Sequence, residues 1–254
     1  MKILLVADIH YALKQFDWLL TEAGHYDAVV LAGDLLDSSA IASPDAQIIV
    51  VRTYLEGLAE QAPVVVCSGN HDLDRVVAGE RVAGWLGNFE GLEVCCDGEA
   101  VEVGDVLISA LPWWDGPIVK DAIAAQLDRD ASRRKRCWVW AHHAPPSDSP
   151  VAWGGARHYG DPDLRDLIER HAPDVVCSGH VHHAPFVRDG SWADRIGSTW
   201  CFNMGQQIGP VPCHIAFHLG EREALWFSME GGERIDMDAN AVTRERLQRG
   251  PAWL

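Results

Sequence analysis

Five short motifs along this chain combine Asp, Asn and His, whose side chains are oxygen and nitrogen ligands for hard or borderline divalent metal ions. In chain order the motifs are Asp8-Ile9-His10, Gly33-Asp34-Leu35-Leu36-Asp37, Gly69-Asn70-His71-Asp72, His142-His143 and Gly179-His180-Val181-His182. Each motif alone is short enough to occur by chance, whereas all five in one chain are specific. Together they predict a two-metal hydrolytic centre that is assembled from distant segments.

Apolar runs with the composition of buried strands precede the motifs. The runs cover residues 3–7, 28–32, 64–67, 138–141 and 175–177. The first run ends directly on Asp8 and the fourth ends directly on His142. In open α/β sheets, ligands bind at the carboxyl ends of the strands, so the motifs are expected to meet at one end of the fold.

Helical patterns alternate with these runs, which predicts an α/β sandwich of mixed sheets covered by helices, in a single domain over residues 1–254. The predicted helices span residues 13–23, 44–62, 72–86, 117–134 and 161–171. Further strands are predicted within residues 92–111 and at 199–203, 213–219 and 224–229. The polar tail from about residue 232 is expected to be helical or loose.

The formal net charge of the chain is -16, which repels polyanions and disfavours binding of long nucleic acid. The charge at the predicted site would be positive, unlike that of the chain as a whole, because only two ligand carboxylates, Asp8 and Asp34, would face two divalent ions. The local excess of about two positive charges would attract a small phosphate ester.

Nothing in the sequence indicates a membrane segment, because no apolar run approaches the roughly 20 residues that cross a bilayer. The apolar N-terminal stretch is interrupted at Asp8, which predicts a first strand of a cytoplasmic protein rather than a signal peptide. Seven Cys residues, with no CxxC pair, predict reduced and mostly buried thiols outside the metal site. The oligomeric state is left open.

Elementary metal chemistry suggests individual roles for three of these residues. Asp34 is the natural bridge between two ions, because each carboxylate oxygen can bind one of them, and Asn70 adds a neutral amide oxygen. Two ions about 3.5–4 Å apart can activate a bridging water as a hydroxide that attacks phosphorus in line. His71 directly follows a ligand, and a histidine there can protonate the leaving oxygen.

The ordered motifs DxH, GDxxD, GNHD, H and GHxH resemble those of the calcineurin-like metallophosphoesterase superfamily, and their compact spacing resembles its small phosphodiesterase-type branch. The resemblance spans residues 8 to 182. It implies a four-layer α-β-β-α sandwich of two mixed β-sheets flanked by helices. It also implies a cofactor of two divalent ions, with Mn, Fe and Zn all suited to such ligands.

The resemblance also implies a role for each motif residue. One metal would be held by Asp8, His10, Asp34 and His182, and the other by Asp34, Asn70, His142 and His180. The family places its single histidine ligand directly after the strand, which favours His142 over His143. His71 would act at the leaving group and Asp37 would orient it, although Asp37 could instead cap the following turn.

Substrate contacts are expected from two loops. Trp113 and Trp114 follow a predicted strand, and two adjacent Trp on a loop cannot both point inward. The long segment 144–160 begins beside His142 and is interpreted as a recognition loop. Its candidate contacts are Trp153, Arg157, His158 and Tyr159.

The resulting functional hypothesis is a dinuclear phosphodiesterase, in which a metal-bridged hydroxide attacks a small diester. Protein phosphatases of the superfamily carry Arg after GDxxD, where this chain has Ser38, and GNHE, where it has Asp72, so that activity is disfavoured. Asp72 is instead interpreted as a helix cap. A phosphomonoesterase or a nuclease remains an alternative. A binding scaffold is disfavoured, because all seven ligand positions and His71 are filled.

Overall fold

The computed structural model describes residues 1–87, 89, 91–239 and 241–254, and two β-sheets packed face to face form its centre. The strands of the first half are β1 (Lys2–Val6), β2 (Ala28–Ala32), β3 (Val64–Cys67), β4 (Arg75–Val77), β5 (Glu80–Val82), β6 (Val94–Cys95), β7 (Ala100–Val103) and β8 (Val106–Ala110). The later strands are β9 (Cys137–Ala141), β10 (Val175–Ser178), β11 (Ala193–Ile196), β12 (Thr199–Asn203), β13 (His214–His218), β14 (Glu223–Ser228), β15 (Gly231–Asp236) and β16 (Glu245–Arg246). The α-helices are α1 (Leu13–Glu22), α2 (Pro44–Ala59), α3 (Pro117–Ala131) and α4 (Pro162–His171).

Both large sheets are mixed, as predicted. The eight-stranded sheet has the order β16-β15-β14-β13-β1-β2-β3-β6, and the six-stranded sheet has the order β11-β12-β10-β9-β8-β7. Strands β1, β2, β3 and β6 run parallel to one another, as do β8, β9, β10 and β12. The motifs follow β1, β2, β3, β9 and β10, so every one of them leaves the carboxyl end of a parallel strand.

Alternation along the strands divides the apolar side chains between two faces and so creates four layers. Leu5 of β1 and Val139 of β9 belong to the core between the two sheets. Leu4 of β1 lies on the outer face, in a cluster with residues of α1 and α2. Trp140 of β9 lies on the opposite outer face, in a cluster with residues of α3 and α4. The α-β-β-α sandwich is therefore the observed architecture.

Two helix starts follow the local signals in the sequence. The Ser43 hydroxyl accepts a hydrogen bond from the Ala46 N–H at 3.3 Å and caps α2, with Pro44 in the first turn. The Asp161 carboxylate caps α4 in the same way, through the Leu164 N–H at 3.0 Å. Four of the five predicted helices are confirmed, with ends shifted by one to three residues.

The predicted helix over residues 72–86 is wrong. This segment forms the β4–β5 hairpin, followed by a 3-10 turn at Gly84–Leu86. The Asp72 carbonyl accepts the indole N–H of Trp85 at 2.7 Å, and the Asp74 carboxylate accepts the Gly84 N–H. These contacts between positions ten or more residues apart replace the local hydrogen bonds that a helix would make.

The tail is only partly loose: residues 231–236 and 245–246 form strands, whereas the other described residues beyond 236 belong to no helix or strand. Strand β15 pairs antiparallel with β14 and then with β16, which extends the eight-stranded sheet at its edge. Ile235 is fully buried in the core between the sheets, so the tail contributes to the fold. Within the described ranges, no helix is long and apolar enough to cross a bilayer.

Candidate metal centre

Backbone hydrogen bonds join the motif loops at the carboxyl ends of the parallel strands. The Asp8 N–H donates to the Gly33 carbonyl at 3.1 Å, and the His10 N–H donates to the Asp34 carbonyl at 3.0 Å. The Gly179 N–H donates to the His143 carbonyl at 2.9 Å. Two side chains complete the connections: Asp34 accepts the His71 N–H at 2.8 Å, and Asp8 accepts the His180 N–H at 3.1 Å. The five motifs, which are far apart along the chain, therefore form one continuous loop layer.

The first group of candidate ligands is the one that the sequence predicted. Asp8, His10, Asp34 and His182 each offer one donor atom, and these four atoms lie within 4.8 Å of one another. His182 Nε2 lies 3.1 Å from Asp8 Oδ1, and His10 Nε2 lies 3.6 Å from Asp34 Oδ2. Both carboxylates are about 1% exposed, so the oxygens lie beneath the surface while the imidazoles reach them from the rim.

Further donors lie near Asp34 and outside the first group. His143 Nε2 lies 3.1 Å from Asp34 Oδ2, and the His180 ring centroid lies 5.3 Å from that of His143. Asn70 follows β3, and its Oδ1 atom is buried. Asp34 is thus common to both groups of donors, because its Oδ2 lies 3.6 Å from His10 Nε2 and 3.1 Å from His143 Nε2.

The choice of His142 as the ligand does not agree with this geometry, which instead places His143 at the centre. His143 Nδ1 lies 2.7 Å from the Ala32 carbonyl, which leaves Nε2 directed at Asp34. A Cβ atom at Gly33 would lie 2.6 Å from the His143 ring, so the glycine makes room for it. His142 instead stacks on Trp114 at 4.3 Å, with Nδ1 3.2 Å from the Leu111 carbonyl.

Alternation along β9 explains why the second histidine is the one that faces the site. Val139 and Ala141 face the core between the sheets, whereas Trp138 and Trp140 face α3 and α4. If the alternation continues beyond the strand, the His142 side chain points to α3 and α4, and the His143 side chain points to the space between the two sheets. Asp34 lies in that space.

The charges of the site are strongly coupled. Burial raises the pKa of Asp8 and Asp34, but the surrounding histidines outweigh it and hold both carboxyl pKa values below their ordinary range. Burial opposes protonation of His143, yet Asp34 raises its pKa to about 10. Burial lowers the pKa of His180 to about 4. In the protein alone, His143 thus carries positive charge against two buried carboxylates, and a divalent ion that binds there would displace its proton.

Two further observations fit a metal site. Asn70 Oδ1 is buried without a hydrogen-bond partner among the described residues, as are the Nε2 atoms of His142 and His143, although buried polar atoms are normally paired. His143 Nε2 has its ion pair with Asp34 in place of a hydrogen bond. Four of the proposed ligand residues have left-handed backbone, an arrangement that costs energy in a non-glycine residue and clusters at functional sites. These are Asp8 (φ 56°), His10 (φ 44°), Asp34 (φ 53°) and His180 (φ 64°). Oxygen and imidazole donors in this arrangement suit Mn, Fe or Zn.

Asp72 has a structural role that the sequence reasoning missed. Its Oδ1 accepts the N–H groups of Leu35 and Leu36, both at 2.9 Å, and its Oδ2 accepts the Gly69 N–H at 2.8 Å. The side chain is fully buried. Asp72 therefore ties the Asp34 loop to the Asn70 loop, rather than capping a helix. Its place at the end of GNHD was the only sequence signal.

His71 lies at the edge of the centre. Its Nε2 is 4.0 Å from Asp34 Oδ2, and its backbone N–H donates to Asp34 Oδ1 at 2.8 Å. Its Nδ1 lies 2.9 Å from the Ser38 hydroxyl. The Asp37 carboxylate lies near the nitrogens of His71 and His10, but its described hydrogen bonds go to Ser39.

Of the two tryptophans, only one reaches the centre. The Trp113 ring lies 5.2 Å from the His180 ring and 5.8 Å from the His143 ring. Trp114 packs inward on His142, and its indole N–H donates to Asp161 at 2.8 Å. The prediction that one of the pair forms a wall of the site is therefore consistent with the position of Trp113.

The segment 144–160 reaches the rim of the site through Tyr159. Arg157 lies over the Tyr159 ring at 4.4 Å, and Trp153 packs on His158 with ring centroids 4.9 Å apart. The Trp153 indole N–H donates to the Arg188 carbonyl at 2.9 Å. Tyr159 lines a cavity together with His180 and His182, while Trp153 and His158 pack on one another.

Two separate cavities open beside the donor groups and share no lining residue. The first has a volume of about 350 Å³ and is lined by residues that include Asn70, His71, Leu73 and Arg81. The second has a volume of about 240 Å³ and is lined by Gly154, Tyr159, His180, Val181, His182 and His183. A ligand at the centre could therefore extend in two directions.

All seven Cys are buried free thiols, and burial raises the pKa of each of them. In the part of the chain that the structure describes, none belongs to a group of His, Cys, Asp and Glu side chains close enough to hold a metal ion. The thiols are therefore core residues, as their apolar sequence context suggests.

Comparison with solved structures agrees with the fold. The protein TT1561 of Thermus thermophilus superposes with a TM-score of 0.55 at 16% identity, over 96% of this chain and 98% of that protein. Purple acid phosphatase PPD1 from yellow lupin (Lupinus luteus) seeds superposes with a TM-score of 0.56 at 14% identity, over 96% of this chain and 52% of that protein. At such identities the likeness concerns the fold alone. No curated protein sequence matches significantly.

The sequence itself identifies the family. The profile of the calcineurin-like phosphoesterases matches residues 1–184, a segment that includes all five motifs and both donor groups. The observed sandwich of mixed sheets and the Asp/His cluster are those expected of such a protein. This chain belongs to the calcineurin-like phosphoesterase family.

Proposed function

We propose that this protein is a dinuclear metal-dependent phosphoesterase that hydrolyses small phosphodiesters. The observation that carries the proposal is the set of donors gathered around Asp34. Asp8, His10 and His182 form one group with it, His143 Nε2 lies 3.1 Å from its Oδ2, and the His180 ring lies beside His143. Asn70 adds a buried amide oxygen. Together these side chains would hold two divalent ions.

When bound, the ions would supply Lewis acidity that activates water and neutralises the phosphoryl oxygens. The protein supplies everything that positions the substrate. Asp72 holds the two ligand loops in register through three backbone N–H groups. Trp113 covers one side of His143 and His180, and so limits access of water from that side.

His71 is proposed as the general acid. Its Nε2 faces the centre and the first cavity, and the side chain is about 30% exposed, so it can reach a substrate oxygen. A proton on Nε2 would pass to the leaving oxygen as its bond to phosphorus breaks. A positioned acid of this kind contributes roughly 10²–10⁴-fold to the rate.

The two cavities favour a diester over a monoester. A diester carries an organic group on each side of the phosphorus, and the centre has room for one group beside His71 and for another beside Tyr159. The volume of about 350 Å³ suits a small organic group. A monoester would leave one of the two cavities without a substrate group.

Long nucleic acid is the less favoured substrate. The chain has 37 acidic against 21 basic residues, and its formal charge of -16 would repel a polyanion. Small-ester chemistry needs only the local positive charge of the bound ions. The nuclease alternative is therefore a second choice. Affinity for DNA that fell steeply with salt concentration would count against the preference for small esters.

The proposal is tested by loading the purified protein with Mn²⁺, Fe²⁺ or Zn²⁺ and measuring hydrolysis of bis-p-nitrophenyl phosphate and p-nitrophenyl phosphate. We expect metal-dependent hydrolysis with a higher kcat/KM for the diester, and loss of that activity in Asp34→Asn. Hydrolysis of the monoester alone would replace the diester assignment. Absence of metal-dependent hydrolysis of both esters and of single-stranded DNA would refute the enzymatic proposal.

The adjacent histidines provide a matched test of the ligand set. His143→Ala should lower metal affinity by more than about 100-fold, because a direct ligand matters more than its hydrogen-bond partners. His142→Ala should retain two ions and its activity, while losing about 3 kcal/mol of stability from the emptied site against Trp114. Metal content and thermal unfolding of both variants distinguish the two residues, and the opposite result would restore His142 as the ligand.

A further inference from the structure

A hydroxyl group contacts His71 where the family resemblance led us to expect a carboxylate. Ser38 Oγ lies 2.9 Å from His71 Nδ1. The other ring nitrogen, Nε2, faces the metal centre at 4.0 Å from Asp34 Oδ2. The two nitrogens thus have different surroundings, and only Nε2 is directed at the place where a phosphoryl group would bind.

We propose that Ser38 is a positioning residue that orients His71 for proton donation, an inference that rests on the proposed function. An imidazolium carries hydrogen on both ring nitrogens, so in the acid form Nδ1–H must be the donor to Ser38 Oγ. This contact restrains rotation of the ring and leaves Nε2–H towards the substrate. When the Nε2–H bond breaks, the leaving oxygen takes that proton. Nδ1 keeps its own hydrogen and continues to donate it to Ser38 Oγ, so Nε2 remains the nitrogen that exchanges protons.

Asp37 does not make the orienting contact. Its Oδ1 accepts hydrogen bonds from the Ser39 N–H at 2.8 Å and from the Ser39 hydroxyl at 2.6 Å. A carboxylate oxygen of Asp37 lies no more than 4.8 Å from a His71 nitrogen, but the described contacts of His71 go to Ser38 and Asp34 and include no hydrogen bond with Asp37. Since a hydrogen bond is directional and a charge at that distance is not, Ser38 is the residue that can set the ring orientation.

The backbone that carries Ser38 is fixed from α2. Gln47 is about 1% exposed, and its Oε1 accepts the Asp37 N–H at 2.8 Å. Its Nε2 donates to the Asp37 carbonyl at 2.9 Å and to the Ala42 carbonyl at 2.9 Å. The buried Gln47 side chain therefore holds both the backbone N–H and the backbone carbonyl of Asp37, the residue before Ser38. Such support gives an otherwise exposed serine a defined position.

The test compares Ser38→Ala, Ser38→Thr and Ser39→Ala in the metal-loaded protein. The substrates are diaryl phosphates whose leaving phenols range from strongly to weakly acidic, because a weakly acidic phenol needs protonation and a strongly acidic one does not. Ser38→Ala should lower kcat about tenfold for diphenyl phosphate and less than about twofold for bis-p-nitrophenyl phosphate, with little change in KM. Ser38→Thr keeps a hydroxyl and should restore the wild-type pattern.

Ser39→Ala is the matched control, since its hydroxyl contacts Asp37 and not His71. We expect it to keep the wild-type dependence on the leaving group. A second readout does not need activity: the ¹⁵N NMR signal of His71 Nδ1 in the metal-free protein should move in Ser38→Ala and not in Ser39→Ala.

Each outcome bears on one proposal at a time. An equal loss for both diesters, failure of Ser38→Thr to restore the pattern, or an unchanged NMR signal in Ser38→Ala would overturn the positioning role. If the wild-type protein hydrolyses neither diester, the proposed function fails, whereas the NMR comparison still decides whether Ser38 holds His71.

Discussion

Substitution of Gly69 by Ala tests the geometry of the centre without removing any ligand. A Cβ atom at this position would lie 2.1 Å from Asp34 Oδ1 and 2.5 Å from the Asp34 backbone nitrogen. A carbon and an oxygen atom need about 3.2 Å, so one of the two loops must move by about 1 Å. Because one of the close atoms belongs to the backbone, rotation of the Asp34 side chain cannot relieve the contact.

The expected loss can be worked from these contacts. A displacement of about 1 Å at a bridging carboxylate lowers catalysis by about 10²-fold. The same shift would stretch the hydrogen bond from the His71 N–H to Asp34 Oδ1, now 2.8 Å, and that from the Gly69 N–H to Asp72. Strain of this kind typically costs about 1–3 kcal/mol of stability. Gly69→Ala should therefore fold with a lower Tm, bind metal more weakly and lose about 10²-fold in kcat/KM.

Gly87→Ala provides the control. Its backbone has φ -82°, which any residue adopts, and the nearest atom to an added Cβ is the Gly84 carbonyl oxygen at 3.8 Å. Stability should stay within about 0.5 kcal/mol of the wild type. The assays are thermal unfolding, metal content after dialysis, and hydrolysis of bis-p-nitrophenyl phosphate. If Gly69→Ala kept both ions and wild-type kcat/KM, the contact between the two ligand loops would not control the site.

Four further predictions can be checked on the same protein. His71→Ala should keep its metals and lose about 10²–10⁴-fold in kcat, with the smaller loss for good leaving groups; equal losses for aryl and alkyl esters would exclude the acid role. Shortening the segment 144–160 should raise KM for a natural diester and spare kcat on a minimal aryl phosphate, and loss of kcat on both would make the segment a structural support. Burial raises the pKa of Asp97 to about 6, although the carboxylate accepts a hydrogen bond from the Ser68 N–H. The folded state therefore keeps this proton to a higher pH than the unfolded state does, and the free energy of unfolding falls as pH rises from about 4 to about 6. In Asp97→Asn this loss disappears, so its Tm relative to the wild type should rise between those pH values and stay constant above them; parallel profiles would contradict the assignment. A thiol reagent under native conditions should leave activity unchanged, because the Cys residues are buried, and a Cys67→Ala variant that folded without its metals would contradict this.

Much of the fold could be predicted from the sequence, because its signals are local. The strands before the motifs are continuous apolar runs, as expected for strands buried on both faces. The capping serine and proline of α2 mark a helix start within a few residues. The motif residues follow those strands directly, so their meeting at one end of the sandwich follows from parallel strands.

The segment 72–86 shows where local signals fail. Its sequence has an acidic start and apolar spacing that favour a helix, but the Asp72 carboxylate accepts the amides of Leu35 and Leu36 in another loop and that of Gly69 just before it. A carboxylate that holds distant backbone cannot also cap its own helix. The hairpin follows from contacts that have no counterpart in the nearby sequence.

The choice between His142 and His143 depended in the same way on tertiary structure. Both histidines follow the same strand, and both are fully buried. Alternation requires that they face opposite sides, but it does not say which side faces the partner sheet. Packing of Trp138 and Trp140 against α3 and α4 settles that, and it turns His143 towards Asp34.

The sequence by itself therefore predicted the family, the layered α/β architecture and six of the seven ligands that we propose, because each depends on residue type and on position after a strand. Only the tertiary structure places His143 beside Asp34 and shows the bracing contacts of Asp72 and the contact between Ser38 and His71. Those features depend on which side chains meet across 30 or more residues of intervening chain. Pairing of β2 with β3 brings the loops of Ser38 and Asp72 together, and packing of the two sheets brings His143 to Asp34.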